Sequence, residues 1–168
     1  YKSLLEPILG NLLLDFGGTV MTRATQTNRS VFKTKSNALV APVICYESMY
    51  GEFMTDYVRN GAQLIAIITN DGWWGNSPGH KQLLSYSRLR SIELRRSIVR
   101  SANTGISAVI NEKGDIINSI EYEKNGIIND KISISNKLTF YAKYGDFISR
   151  ISLFFFIIIF LFYFAKKK

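Results

Sequence analysis

Ala41-Pro42-Val43-Ile44-Cys45-Tyr46-Glu47 is the stretch whose reading decides the fold. Residues 37–44 are too few for a helix and are bounded by turn-prone residues, so they predict a buried strand. That strand delivers the chain's only cysteine, Cys45, to its end, where a side chain leaves the sheet, and Glu47 follows two positions on. A lone cysteine is most often a small buried hydrophobe. A thiol at a strand end beside a carboxylate is also where a nucleophile would be set, and position by itself does not choose between the two.

Outward from Glu47, Tyr50, Phe53, Met54, Tyr57 and Val58 recur at helical spacing over residues 48–60, and Asn60-Gly61 closes the helix. Residues 64–69 (LIAIIT) are continuously apolar and branched, the pattern of a strand buried on both faces. Strand, helix and strand in that order predict a right-handed parallel crossover. Next comes Asn70-Asp71-Gly72-Trp73-Trp74-Gly75-Asn76-Ser77-Pro78-Gly79, a glycine-rich loop holding both tryptophans. They either cap the core or wall an apolar pocket at the strand's carboxyl end, where ligands collect in open α/β sheets.

Residues 80–96 predict a helix with arginines at Arg88, Arg90, Arg95 and Arg96; Arg90 and Glu93 are spaced to pair on one face as structure. His80 opens this helix without an evident acid partner and is expected in solvent. Residues 98–102 and 106–111 read as strands parted by Asn103-Thr104-Gly105. Glu112-Lys113-Gly114-Asp115 forms a hairpin turn into residues 116–120, and residues 127–134 (IINDKISI) read as a last strand. Before the central stretch, residues 1–14 suggest a short interrupted helix. Residues 15–19 suggest a turn that lacks the Gly-Lys-Ser/Thr ending of a phosphate loop. Residues 20–38 are a polar, basic edge with a strand around 30–33.

The 168 residues suffice for one domain with a core. One cysteine excludes an internal disulfide framework, and with a single histidine no Cys/His zinc cluster is possible, so no metal or cofactor is expected. Lysine and arginine total 21 against 13 acids, a formal net charge of +8, but the charge is spread and partly terminal. No RNA-binding signature or Cys/His finger accompanies it, and no nucleic-acid partner is expected.

Residues 151–165 (ISLFFFIIIFLFYFA) carry no charge, with Arg150 before them and Lys166-Lys167-Lys168 after. A span needs about 20 apolar residues. Phe147 and Ile148, with Arg150 and the lysines snorkelling, bring the run near that length. It is apolar on every face, which predicts a transmembrane helix with the lysines in the cytoplasm and everything before Arg150 across the membrane.

Taken together, Ile44-Cys45-Tyr46-Glu47, Asn70-Asp71-Gly72-Trp73-Trp74-Gly75, Arg88-Leu89-Arg90-Ser91-Ile92-Glu93, Arg100-Ser101-Ala102-Asn103-Thr104-Gly105 and Thr139-Phe140-Tyr141-Ala142-Lys143-Tyr144-Gly145-Asp146 resemble the apolipoprotein N-acyltransferases. These form the membrane-embedded branch of the carbon–nitrogen hydrolase (nitrilase) superfamily, and the resemblance runs from about Leu14 to the C-terminus. It implies an α/β fold: part of a nitrilase-type α-β-β-α sandwich over residues 1–146, a transmembrane helix at 147–165 and a basic cytoplasmic tail at 166–168. It also implies a Glu-Lys-Cys triad in a bacterial inner (cytoplasmic) membrane protein whose nitrilase-like domain is periplasmic. Cys45 matches the nucleophile, which takes an acyl chain from a phospholipid donor as a thioester and passes it to the α-amino group of a lipoprotein's N-terminal diacylglyceryl-cysteine. A thiol suits such ping-pong transfer, because sulfur both attacks and leaves well. Glu47 matches a position beside the nucleophile, orienting a lysine ammonium or the incoming amine. Tyr46, Trp73 and Trp74 would contact substrate, and Asn70 and Asp71 would shape the loop.

The sequence also departs from the family. The triad glutamate and lysine belong upstream of Tyr1, which makes the chain look like a piece of something longer. Lys2 falls in the stretch after the family's Leu-Val-Pro segment and does not match its lysine, and neither Glu6 nor Glu47 matches the general base. A thiol lacking its base and a fixed cation for the oxyanion is expected to be inactive, so these residues alone are expected not to catalyse. A membrane-tethered amidase of the same superfamily, or a truncated non-catalytic membrane module, is the alternative.

Overall fold

Parallel strands joined by two helices build one mixed sheet, ordered β1-β2-β3-β4-β5-β6, in the computed structural model, which describes residues 26–166. The helix and turn expected over residues 1–19, with Lys2 and Glu6, lie outside the described residues. β1 (Phe32–Lys33) is an antiparallel edge on β2 (Leu39–Ile44). β2, β3 (Leu64–Thr69) and β4 (Ile98–Ala102) run parallel. Parallel neighbours need a crossover, supplied by α1 (Gly51–Arg59) and α2 (Pro78–Leu94). β5 (Ser107–Ile110) and β6 (Ile116–Ile120) close the sheet as an antiparallel meander.

Register decides which face each side chain takes, because alternate residues point to opposite faces. Ala41, Ile65, Ile98 and Ile110 align across the sheet, as do Val43, Ile67, Arg100 and Ala108, and all eight are buried. Met54, Tyr57 and Val58 of α1 and Leu84 and Leu94 of α2 complete this core, so both helices cover one face. The other face carries Pro42, Ala66, Val99 and Val109 in register, then Ile44 and Ile68, which are 65% and 63% exposed. β3 therefore has the composition of a doubly buried strand while only one of its faces is fully covered. One helical layer on one sheet is half of an α-β-β-α sandwich, in agreement with the α/β expectation.

Three elements differ from the sequence reading. A 3-10 turn, Cys45–Met49, and an extended Tyr50 precede α1, because Gly51 lies against the Arg90 guanidinium and the Tyr141 hydroxyl, where the chain has to bend. α2 starts two residues early at Pro78 and stops at Leu94, where Arg95 takes a left-handed conformation (φ +49°). Residues 127–134 do not join the sheet. Ile128 and Ile132 instead lie with Val99, Val109 and Ile120 around a cavity of ≈ 300 Å³, so their apolar side chains meet the sheet's second face rather than its edge.

The chain beyond residue 134 is tied back to the end of α2 by Arg96, which is almost fully buried and donates to the carbonyls of Ala62 (2.6 Å), Arg95 (3.0 Å) and Lys137 (2.8 Å). Burial pulls its pKa below the usual arginine value. Arg96→Met is expected to cost about 2 kcal/mol in chemical denaturation, because it takes the donor from the buried Ala62 carbonyl and from the part-buried carbonyls of Arg95 and Lys137.

α3 (Phe140–Tyr144) is capped by Thr139, whose hydroxyl accepts from the Ala142 N–H at 3.0 Å and donates to the Glu93 carbonyl at 2.7 Å. α4 (Phe147–Lys166) follows: 20 residues, with a mean hydropathy of 2.3 over its most apolar 18-residue window, long and apolar enough to cross a membrane, and with no buried residue. Asp146 caps it through the Ser149 hydroxyl (2.6 Å) and N–H (3.3 Å). Those two hydrogen bonds hold the Asp146 carboxyl below its ordinary value, so the cap is present at neutral pH and lost as pH falls through that lowered pKa.

Candidate active site

The carboxyl ends of the three parallel strands share one edge, and each is followed by a loop that the sequence singled out. Ile44 pairs with Ile68, and Thr69 with Ala102. Cys45, the Asn70–Trp74 stretch and the Asn103-Thr104-Gly105 bend are therefore neighbours, at the edge where open α/β sheets bind ligands.

Cys45 is half-buried and opens the 3-10 turn with φ +49°, a left-handed conformation that costs a non-glycine residue about 1–2 kcal/mol. Two local hydrogen bonds impose it. Glu47 Oε2 accepts from the Ile44 N–H at 2.8 Å, and the buried Ser48 donates its hydroxyl to the Cys45 carbonyl at 2.8 Å. Backbone strain of this kind gathers at functional positions, where the surroundings over-determine it. Glu47 thus has a present structural duty, fixing the turn that carries the thiol.

Tyr46 is exposed and meets Trp74 edge-on, with ring centroids 6.4 Å apart. Trp74 in turn lies over Gly79 in the first turn of α2, where an added Cβ would come within 2.8 Å of the indole. Gly79→Ala is expected to push Trp74 off this seat and red-shift tryptophan emission, with little change in far-UV circular dichroism. Trp73 is 74% exposed and caps no core. Neither ring lines the ≈ 300 Å³ cavity, which lies under residues 126–132, on the sheet's other face.

Behind the tryptophans the loop is tied down by charge. Asp71 is fully buried, accepts from the Thr69 hydroxyl at 2.7 Å and pairs with Arg100 Nη2 at 2.6 Å. Arg100 also donates to the Ile106 carbonyl at 2.5 Å. Gly105 is required here, because a Cβ would sit 2.2 Å from Asp71 Oδ2. Asn70 Oδ1 accepts from the Gly72 N–H (3.1 Å) and the Thr104 hydroxyl (3.3 Å), linking the two loops. Arg100, Thr69 and Gly105 were missed in the sequence reading. The available signal was an arginine inside an apolar strand, which must find a partner when buried.

His80 corrects an expectation. It is 1% exposed rather than solvated, and its ring lies 4.5 Å from that of Tyr122, which follows β6 and covers the start of α2. Arg90 and Glu93 pair at 3.1 Å as the spacing predicts, and burial raises the Glu93 pKa. Among the described residues, no three His, Cys, Asp or Glu side chains converge as a metal site requires.

An open α/β sheet with a strained cysteine at the carboxyl end of a parallel strand, beside a loop pinned by a buried ion pair, defines the class of protein. The carbon-nitrogen hydrolase family matches residues 5–136, and the chain belongs to that family. It is similar to the apolipoprotein N-acyltransferase of Shewanella oneidensis, 33% identical over 146 residues, which are 87% of this chain and 27% of that protein. The apolipoprotein N-acyltransferase of Bradyrhizobium diazoefficiens is 43% identical over 106 residues, 62% of this chain and 19% of that protein. The chain thus spans about a fifth to a quarter of the length of these relatives. Among solved structures, an amidase from Nesterenkonia sp. shares the fold with a TM-score of 0.50 at 17% identity, covering 60% of this chain and 40% of that one.

Proposed function

We propose that these residues work as the C-terminal part of an apolipoprotein N-acyltransferase with Cys45 as its nucleophile. The observation that carries this reading is the built turn at Cys45: a left-handed thiol at a strand end, held by Glu47 and Ser48, beside the tryptophan loop. Similarity to the N-acyltransferases and the long apolar α4 support the choice of a lipid substrate.

In the reaction, the Cys45 thiolate attacks the ester carbonyl of a phospholipid. The acyl–oxygen bond breaks and the lysophospholipid leaves as an alcohol, taking the proton that came from the thiol. The α-amino group of a lipoprotein's N-terminal diacylglyceryl-cysteine then attacks the thioester; an amide forms and the thiol is released. The glutamate base and the lysine that stabilises the oxyanion come from residues preceding Tyr1 in a longer chain, and the same portion covers the open face around Ile44 and Ile68. Trp73 and Trp74 offer apolar surface to the acyl chain, Tyr46 lies beside them, and the second Glu47 oxygen faces the amine or the lysine. Asn70 and Asp71 hold the loop. α4 spans the bacterial inner membrane with the sheet on the periplasmic side. Alone, residues 1–168 do not catalyse.

The test supplies labelled phospholipid and a diacylglyceryl-cysteine peptide to the chain extended to the length of its relatives, and to residues 1–168 alone. The expected result is an N-acylated peptide from the first and none from the second. Lipid-independent release of ammonia from amides would replace this reading with an amidase. Absence of either product from the extended chain would leave a non-catalytic module.

A further inference from the structure

α3 is a single turn and a half, yet its two sides differ. Ala142 is fully buried and Tyr141 half-buried against α1 and α2, while Phe140 and Tyr144 remain 61% and 55% exposed with Lys143 between them. Phe140, Tyr144 and Phe147 form one aromatic cluster, with ring centroids 4.6 Å apart for the first pair and 5.0 Å for Phe140 and Phe147. Phe147 is the first residue of α4, so the cluster is continuous with the start of the apolar helix.

The bend between α3 and α4 is fixed. Glu52, in the first turn of α1, accepts from the Asp146 N–H at 3.1 Å and pairs with the Arg150 guanidinium, which also donates to the Tyr144 carbonyl at 3.1 Å. Gly145 makes room for this, at φ +65° and with the Glu52 carboxylate where a Cβ would stand. The aromatic cluster therefore keeps a set orientation to the helix axis. Exposed aromatic rings beside the Lys143 ammonium, placed where an apolar helix begins, have the composition of a membrane–water boundary, where rings settle at headgroup depth and a cation snorkels to phosphate.

We infer that the outer face of α3 (Phe140, Lys143 and Tyr144), with Phe147, lies in the interfacial layer of a phospholipid bilayer. The sheet then rests on the membrane through this shelf as well as through α4. Because Glu52 belongs to the helix that follows the Cys45 turn, the clamp fixes the height of the nucleophile above the lipid. This inference rests on the reading of α4 as a membrane span.

The experiment places an environment-sensitive fluorescent amino acid at position 140, 144, 158 or 35 of the full chain. The protein is reconstituted in phosphatidylethanolamine–phosphatidylglycerol vesicles carrying nitroxide lipids at headgroup or acyl-end depth, and an aqueous quencher is added in parallel. Positions 140 and 144 are expected to shift to the blue and to be quenched most by the shallow nitroxide, 158 by the deep one, and 35 only from water. If 158 is deep while 140 and 144 behave like 35, the shelf is wrong and the span stands. If 140 and 144 are shielded from water and from both nitroxides, a protein surface covers them and the inference fails. If 158 is reached only from water, the span reading fails and takes the inference with it.

Discussion

Cys45→Ala in the extended chain is expected to lower acyl transfer at least about 10³-fold, the scale seen when a nucleophile acting in a catalytic unit is removed. Stability should barely change, because alanine and cysteine pay the same left-handed penalty at φ +49°. Cys45→Ser is expected to rescue little, since serine is the poorer nucleophile and leaving group. Cys45→Gly separates strain from chemistry: it should abolish transfer yet raise the unfolding free energy by up to about 1 kcal/mol, as glycine adopts this conformation freely. If Cys45 were merely a small packing residue, Cys45→Ala would leave the rate unchanged. Initial rates with labelled phospholipid, alongside chemical denaturation, decide between the two.

The largest expected loss of stability follows from breaking the Asp71–Arg100 pair. Arg100→Met strands a fully buried carboxylate with only the Thr69 hydroxyl as a side-chain donor, a change expected to cost about 3–5 kcal/mol. For a domain of this size that lowers the melting temperature on the order of 10 °C. Combining it with Asp71→Asn removes both charges and keeps an acceptor for Thr69, so much of the loss should return. A double variant as unstable as the sum of the single ones would show that the two side chains act independently. Because Asp71 also fixes the bend that presents Trp73 and Trp74, the single variant should change tryptophan emission before global unfolding.

How much of this was legible varied with the physics of each segment. β3, β4 and β6 were readable to the residue, since short segments rich in β-branched residues and bounded by turn residues allow few alternatives. The cysteine at the end of β2 followed from the same pattern. The 3-10 turn did not, because it depends on two hydrogen bonds and on space at Gly51 that Arg90 and Tyr141 occupy from distant positions. Residues 127–134 have the composition of a strand, yet their isoleucines meet the sheet's second face, which no local periodicity records. His80 was misread because its cover, Tyr122, is contributed from beyond β6. Arg100 was readable in principle: its charge in the middle of a buried strand demanded a partner, and Asp71 at the neighbouring strand's end was the available one.

The measurement that bears most directly on the account is the mass of the Cys45 peptide after the extended chain has met phospholipid without an amine acceptor. The account predicts an added acyl group on Cys45, labile to neutral hydroxylamine and discharged when the diacylglyceryl-cysteine peptide is supplied. A competent enzyme whose Cys45 stays unmodified, or whose acyl group sits on another residue, would contradict it.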